Sequence, residues 1–508
     1  MKQNIFIIMV AFGLMAGLGS CSKQLELAPV SSITDGNYWK TPEQVQAFVT
    51  GVHTRFRSNT LQFIYLGELR ADVFGTDPGS NSSFTGEATQ GVERLWLNTI
   101  DPDAAGIGSF GGFYSNINQL NLLISKLQDI NIISEADRNY YLGIAHGMRA
   151  FYYYQLLRSW GDVIIQTEPT TSVDIANLAK PASPASEVMA FIKQDIAASE
   201  TSFGSDYSFR QSKGFWSKSA TLMLKADVYL WTAHREGGAA DAGITRQALT
   251  DIQTNVPSLT LLNSFENVFE AHNKGNAEII FAIRYGLDEA SLPIAGTFMP
   301  QTSLIPNFYD SVGARKFDPT TDNYQGLLRA PVMISTFRRF DDADSRKWAT
   351  IQAAYDKNGN DYDIAGAFVV KYKGEQNAGS RQYTNDFPIY RYADLLLLLA
   401  EAKVIMGEDP TTEINAVRAR AYGSNFDAAV QGYPNQPTDI SPEEAILEER
   451  FKEFIFEGKR WYDLRRMGDQ YVYKYTTVDP DESYKLLWPI DRGSLTDNTG
   501  LDQNPGYE

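Results

Sequence analysis

Cysteine is almost absent from this chain of 508 residues: Cys21 is the only one. No disulfide within the chain and no thiolate metal cluster is therefore available. Histidine is scarce too. His53, His146, His234 and His272 lie far apart, and no His-Glu-x-x-His pairing occurs. There is no Gly-x-Ser-x-Gly elbow and no Walker-type glycine loop. Positive charge is in deficit, with 45 Lys and Arg against 62 Asp and Glu, a formal net charge of −17. A nucleic-acid groove needs concentrated positive charge, and none is visible, so nucleic acid is not an expected partner. After residue 21 no long apolar run recurs, so nothing further has the roughly 20 apolar residues of a spanning helix.

What is present begins at the N-terminus. Lys2 precedes an uncharged, mostly apolar stretch at residues 5–19. That stretch is short for a bilayer but has the length of a signal-peptide core. It ends in Leu18-Gly19-Ser20-Cys21, which resembles a bacterial lipobox. The expectation is a signal peptide at residues 1–20, lipid on Cys21, and a tether at 21–40 that holds the body at a membrane without a spanning helix.

Helical signals follow. Thr41-Pro42 gives a cap and a first-turn proline to a helix ending near Arg57. Periodicity predicts helices over 113–128, 135–160, 184–200, 217–234, 391–406, 411–422 and 441–467, the last opened by Ser441-Pro442-Glu443-Glu444. Residues 277–285 read as a strand, and Asp356 to Asp361 as a hairpin tip rather than a calcium loop, because Gly359 is misplaced for one. Asp341-Asp342-x-Asp344 reads as solvated surface. Small residues recur beside aromatics, as at Ala145, Ala150 and Tyr152–Tyr154, Ala226 and Tyr229, and Ala400 and Ala402. Helix pairs stacked as tetratricopeptide-like repeats pack in this way. The expected fold is mainly α: one large domain over 41–508, a tetratricopeptide-like helical repeat scaffold with irregular loops and a few short strands.

Several segments in order resemble one family. Tyr114-x-x-Ile117-x-x-x-Asn121, Arg149-Ala150-Phe151-Tyr152, Arg391-Tyr392-Ala393-Asp394 and Asn415-Ala416-Val417-Arg418 are similar to its helices. The run from Glu449 to Arg466 resembles its C-terminal signature nearly position for position, and Gln503-Asn504-Pro505-Gly506-Tyr507 its closing segment. The chain is identified on these motifs as a member of the SusD/RagB family of outer-membrane lipoproteins of Bacteroidota. Asp491 replaces a proline of the family pattern. The resemblance implies a surface-exposed, lipid-anchored protein of the outer membrane. It implies that an oligosaccharide is bound by surface loops and delivered, without bond cleavage, to a partner TonB-dependent (SusC-like) transporter. It implies no cofactor and no catalytic residue. Rival readings are a surface glycoside hydrolase, which needs two carboxylates facing each other across a cleft, and a peptide-binding import lipoprotein, since helical repeats bind peptides readily.

The acids Glu449, Glu453 and Glu457, spaced four apart, read as a stripe of structural ion pairs along a 449–466 helix rather than a hydrolytic pair. Ligand residues are instead sought in loop insertions at about 70–112 and 285–385. Sugars present flat C–H faces and hydroxyl edges, which call for aromatic platforms beside Asp, Asn or Arg. The candidates are Asp72, Phe84, Trp96, Asn98, Tyr309, Arg338 and Trp348.

Overall fold

The computed structural model describes residues 38–76, 90–106, 110–170, 179–310 and 315–507. Cys21 and Phe84 lie outside them. The longer helices are α1 (Pro42–Arg57), α2 (Thr60–Glu68), α3 (Tyr114–Asp129), α4 (Glu135–Trp160), α5 (Ala185–Phe203), α6 (Lys218–Thr232), α7 (Gly238–Asn255), α8 (Tyr392–Ile405), α9 (Thr411–Tyr422), α10 (Pro442–Phe454) and α11 (Arg460–Met467). Their starts follow local chemistry. Thr41 and Gln44 form a reciprocal capping box on α1, and Ser134, Ser217 and Ser441 accept backbone amides at α4, α6 and α10.

Each helix packs mainly on its neighbours: α3 on α4, α4 on α5, α5 on α6, α6 on α7, α7 on α8, and α8 on both α9 and α10. That is the mainly helical, repeat-like scaffold the sequence predicts. Among the described residues no helix is long and apolar enough to cross a membrane. Helices α2 and α7 escaped the sequence reading. Two glycines, Gly238 and Gly243, lower the helical propensity of α7. The short α2 carries a Phe-Ile-Tyr-Leu run as compatible with a strand.

The predicted continuous helix over 441–467 is corrected: it breaks between α10 and α11. Phe456 and Gly458 have left-handed backbone, at φ 67° and 69°. Glu68 at the end of α2 accepts the amides of Phe456 at 2.5 Å and Gly458 at 2.8 Å. In an unbroken helix those amides would bond to carbonyls four residues back. Burial raises the Glu68 carboxyl to about 8 even though these two amides donate to it.

Three two-stranded antiparallel sheets complete the fold: β1 (Ile279–Ile283) with β6 (Phe387–Arg391), β2 (Ile351–Asn358) with β3 (Asp361–Val369), and β4 (Glu375–Asn377) with β5 (Ser380–Gln382). The β1–β6 pair is buried throughout and aligns Ile283 with Phe387. It is the stem through which the 285–385 insertion leaves the helical body and returns.

Candidate functional site

The insertion carries an aromatic and charged surface around the β2–β3 hairpin. Its tip turns at Gly359, φ 67°, where a side chain would be strained. The chain around Tyr309 lies against β2: Tyr309 and Tyr355 exchange backbone hydrogen bonds at 3.0 Å both ways. The Tyr309 ring meets that of Tyr362 edge-on, 5.2 Å between centroids, and the Lys357 ammonium sits 5.7 Å from the Tyr362 ring. Burial and Asp342 raise the Tyr355 phenol, while Arg338 works the other way, so both charges lie beside this ring.

Asp342 links the tyrosines to Trp348. The indole Nε1 of Trp348 donates to the Asp342 carbonyl at 2.9 Å, and the ring packs edge-on to Phe337, 5.9 Å away. Trp348 is nevertheless 52% exposed. It also borders a cleft with Phe269, Glu270, Lys373 and Glu375. An indole anchored by its N–H and bare on one side is a platform for an apolar ligand face, with hydrogen-bonding side chains at its rim.

The platform is rigidly held from below. Trp348 stands on a short helix, Ser345–Thr350, capped by Asp344. Two residues before Trp348 in that helix, Arg346 is buried and pairs with Asp344 at 2.7 Å, Glu449 at 2.6 Å and Glu453 at 3.1 Å. Asp344 is thus buried, a correction to its reading as solvated surface. The C-terminal signature therefore anchors the surface tryptophan through Arg346. Its acids are matched internally: burial opposes ionisation of Glu453, but Arg420, Arg391 and Arg346 hold its carboxyl below the ordinary range.

Three candidates move from the surface to the interior. Asp72 accepts from Arg460 at 2.7 and 2.9 Å and from Arg339 at 2.9 Å. Burial would raise the Asp72 carboxyl, but these two guanidiniums hold it below its usual value. Arg339 also chelates Glu448, so Asp72 helps fix the segment that ends in the exposed Arg338. Trp96 is 8% exposed and lies over Gly75. Asn98, at φ 52°, accepts from Arg70 at 2.7 Å and donates to Thr477 at 3.0 Å. A loop rich in polar residues does resemble a binding surface in composition, but here long-range arginines draw those residues inward.

Tyr309, Arg338 and Trp348 remain together on the insertion. Tyr362 and Asp342 join them and were missed as ligand candidates. The alternation of the β2–β3 hairpin was the available signal for Tyr362.

The C-terminal residues 340–507 match the model of the SusD family. NanU of B. fragilis is 45% identical, covers 95% of this chain and 100% of its own, and superimposes with a TM-score of 0.88. A SusD superfamily protein from Bacteroides vulgatus is 42% identical, with 92% and 100% coverage and a TM-score of 0.85. The starch-binding protein SusD of Bacteroides thetaiotaomicron is 31% identical over 134 residues, 24% of this chain and 22% of its own. Helical scaffold, C-terminal signature and full-length similarity agree, and the chain belongs to the SusD family.

Proposed function

We propose that this chain is a cell-surface lipoprotein that captures an oligosaccharide and delivers it, uncleaved, to a TonB-dependent transporter of SusC type. The observation that carries the binding role is the half-exposed Trp348, fixed on a buried ion network, tied to the Asp342 carbonyl and bordered by Glu270 and Lys373. Family membership supports the carbohydrate class, as does the relative named for binding starch. Lipid on Cys21 would hold the body at the outer membrane, facing the exterior, with the tether giving a reach of at most about 3.5 Å per residue.

Calorimetric titration of residues 21–508 against a polysaccharide panel tests the binding role, with reducing ends assayed in the same samples. Saturable binding of at least one glycan without release of reducing ends is the expected result. Silence across the panel, or turnover, contradicts the proposal. Palmitate labelling should mark the wild type and vanish in Cys21→Ala; label retained in that variant contradicts the anchor.

A further inference from the structure

A second concavity lies in the helical body, and none of its lining residues belongs to the 285–385 insertion. It measures about 720 Å³, within the range of small-ligand sites. Leu157, Met189, Trp231, Tyr484, Leu487 and Pro505 supply apolar walls. Helix α6 ends beside it in a single π turn, Ala233–Gly237. Such turns are rare and frequent at functional sites. This one sends His234 to Glu401 at 2.9 Å and places Arg235 on the rim of the cleft.

Two guanidiniums face the cleft without an acid. Arg465 is 8% exposed, donates to the Arg158 carbonyl at 2.7 Å, and leaves its Nε without a hydrogen-bond partner. Arg235 lies 4.0 Å from the centre of the Trp231 ring and donates to the carbonyls of Trp231 at 2.6 Å and Arg465 at 3.2 Å. Neither forms an ion pair with a described carboxylate, in a chain where most buried arginines do. Arg70, buried and also without an acid, gives its donors to Asn98, Leu487 and Lys485 and leaves none orphaned.

The acids nearby are committed or peripheral. Asp162 accepts the Ala185 amide at 2.8 Å, and Glu236 is exposed at the rim. Asp469 acts on both guanidiniums without forming an ion pair with either. Burial lowers Arg465 to about 10, and Asp469 only partly offsets that.

We propose that this cleft binds a small organic carboxylate with a flat apolar body, its charge held by Arg465 and Arg235 and its body enclosed by Trp231, Met189 and Leu487. Guanidinium forks match carboxylate geometry and strengthen where water is excluded. The site is independent of the glycan reading.

The probe is 2-naphthoate, with 2-naphthamide as its neutral isostere, titrated by calorimetry into residues 21–508. Naphthoate should bind at one site at least about tenfold more tightly than the amide, a charge-assisted difference. Arg235 is exposed, so Arg235→Gln should fold as wild type. That variant should weaken naphthoate about fivefold or more and narrow the gap between the acid and the amide. No heat from naphthoate at millimolar concentration, equal affinity for acid and amide, or an unchanged Arg235→Gln each overturns the proposal.

Discussion

Arg391→Met should destabilise the folded chain by about 3–5 kcal/mol, the cost of breaking a buried charge network by removing one member. Arg391 is completely buried. It donates to Glu278 at 2.8 Å, to Glu453 at 2.5 Å, and to both oxygens of Glu457 at 2.9 and 2.8 Å. Without it, three buried carboxylates share Arg420, Arg346 and Lys371. Methionine fills much of the volume, so the loss reports charge rather than a cavity. Arg391→Lys should fall between the two, because an ammonium keeps the charge but cannot serve Glu457 and Glu453 with one planar fork. Urea unfolding midpoints measure the series. Arg492→Gln, at an exposed pair with Asp103, should leave the midpoint unmoved. A wild-type midpoint for Arg391→Met would mean that the network does not hold the core.

Gly67→Ala should also be severe, and its sign runs against simple propensity. Alanine in a helix interior is ordinarily favoured over glycine by about 1 kcal/mol. Gly67 lies in α2. Yet a Cβ there would stand 1.8 Å from the Gly458 carbonyl oxygen. Gly458 in turn would place a Cβ 2.7 Å from the Phe63 carbonyl. Both obstacles are backbone, so no side chain can swing aside. Relief requires separating α2 from the α10–α11 break and loosening the Glu68 bonds to Phe456 and Gly458. The expected loss is about 3 kcal/mol or more, at the upper end of overpacking costs. The urea midpoint checks this as well. A gain in stability would show that the two backbones do not meet.

These two sites also show why the sequence was legible in some places and opaque in others. Local signals carried most of the scaffold: Thr41, Ser134 and Ser441 mark helix starts because each cap acts within three residues of itself. The α10–α11 break was hidden because its cause, Glu68, lies far away in the chain. The same reasoning separates the ligand candidates. Asp72, Trp96 and Asn98 sit in a stretch of suitable composition, yet Arg460, Arg339 and Arg70 commit the two polar ones to the interior. Trp348 had no distinguishing local signal. Its exposure follows from the neighbouring Arg346, which turns inward to Glu449 and Glu453 and leaves the indole outside. The acidic stripe and the surface platform are thus one device: buried ion pairs hold the short helix on which the tryptophan stands.

The glycan-binding role at this surface is tested most directly by calorimetric titration of Trp348→Ala beside wild type, using a glycan that wild type binds. Trp348 is 52% exposed, so its removal should leave folding intact. Truncating an aromatic anchor at the centre of a contact costs about 2 kcal/mol, or roughly thirtyfold in affinity. The predicted result is a loss of that size with an unchanged unfolding midpoint. Wild-type affinity in the variant would contradict the assignment of the glycan site to this face.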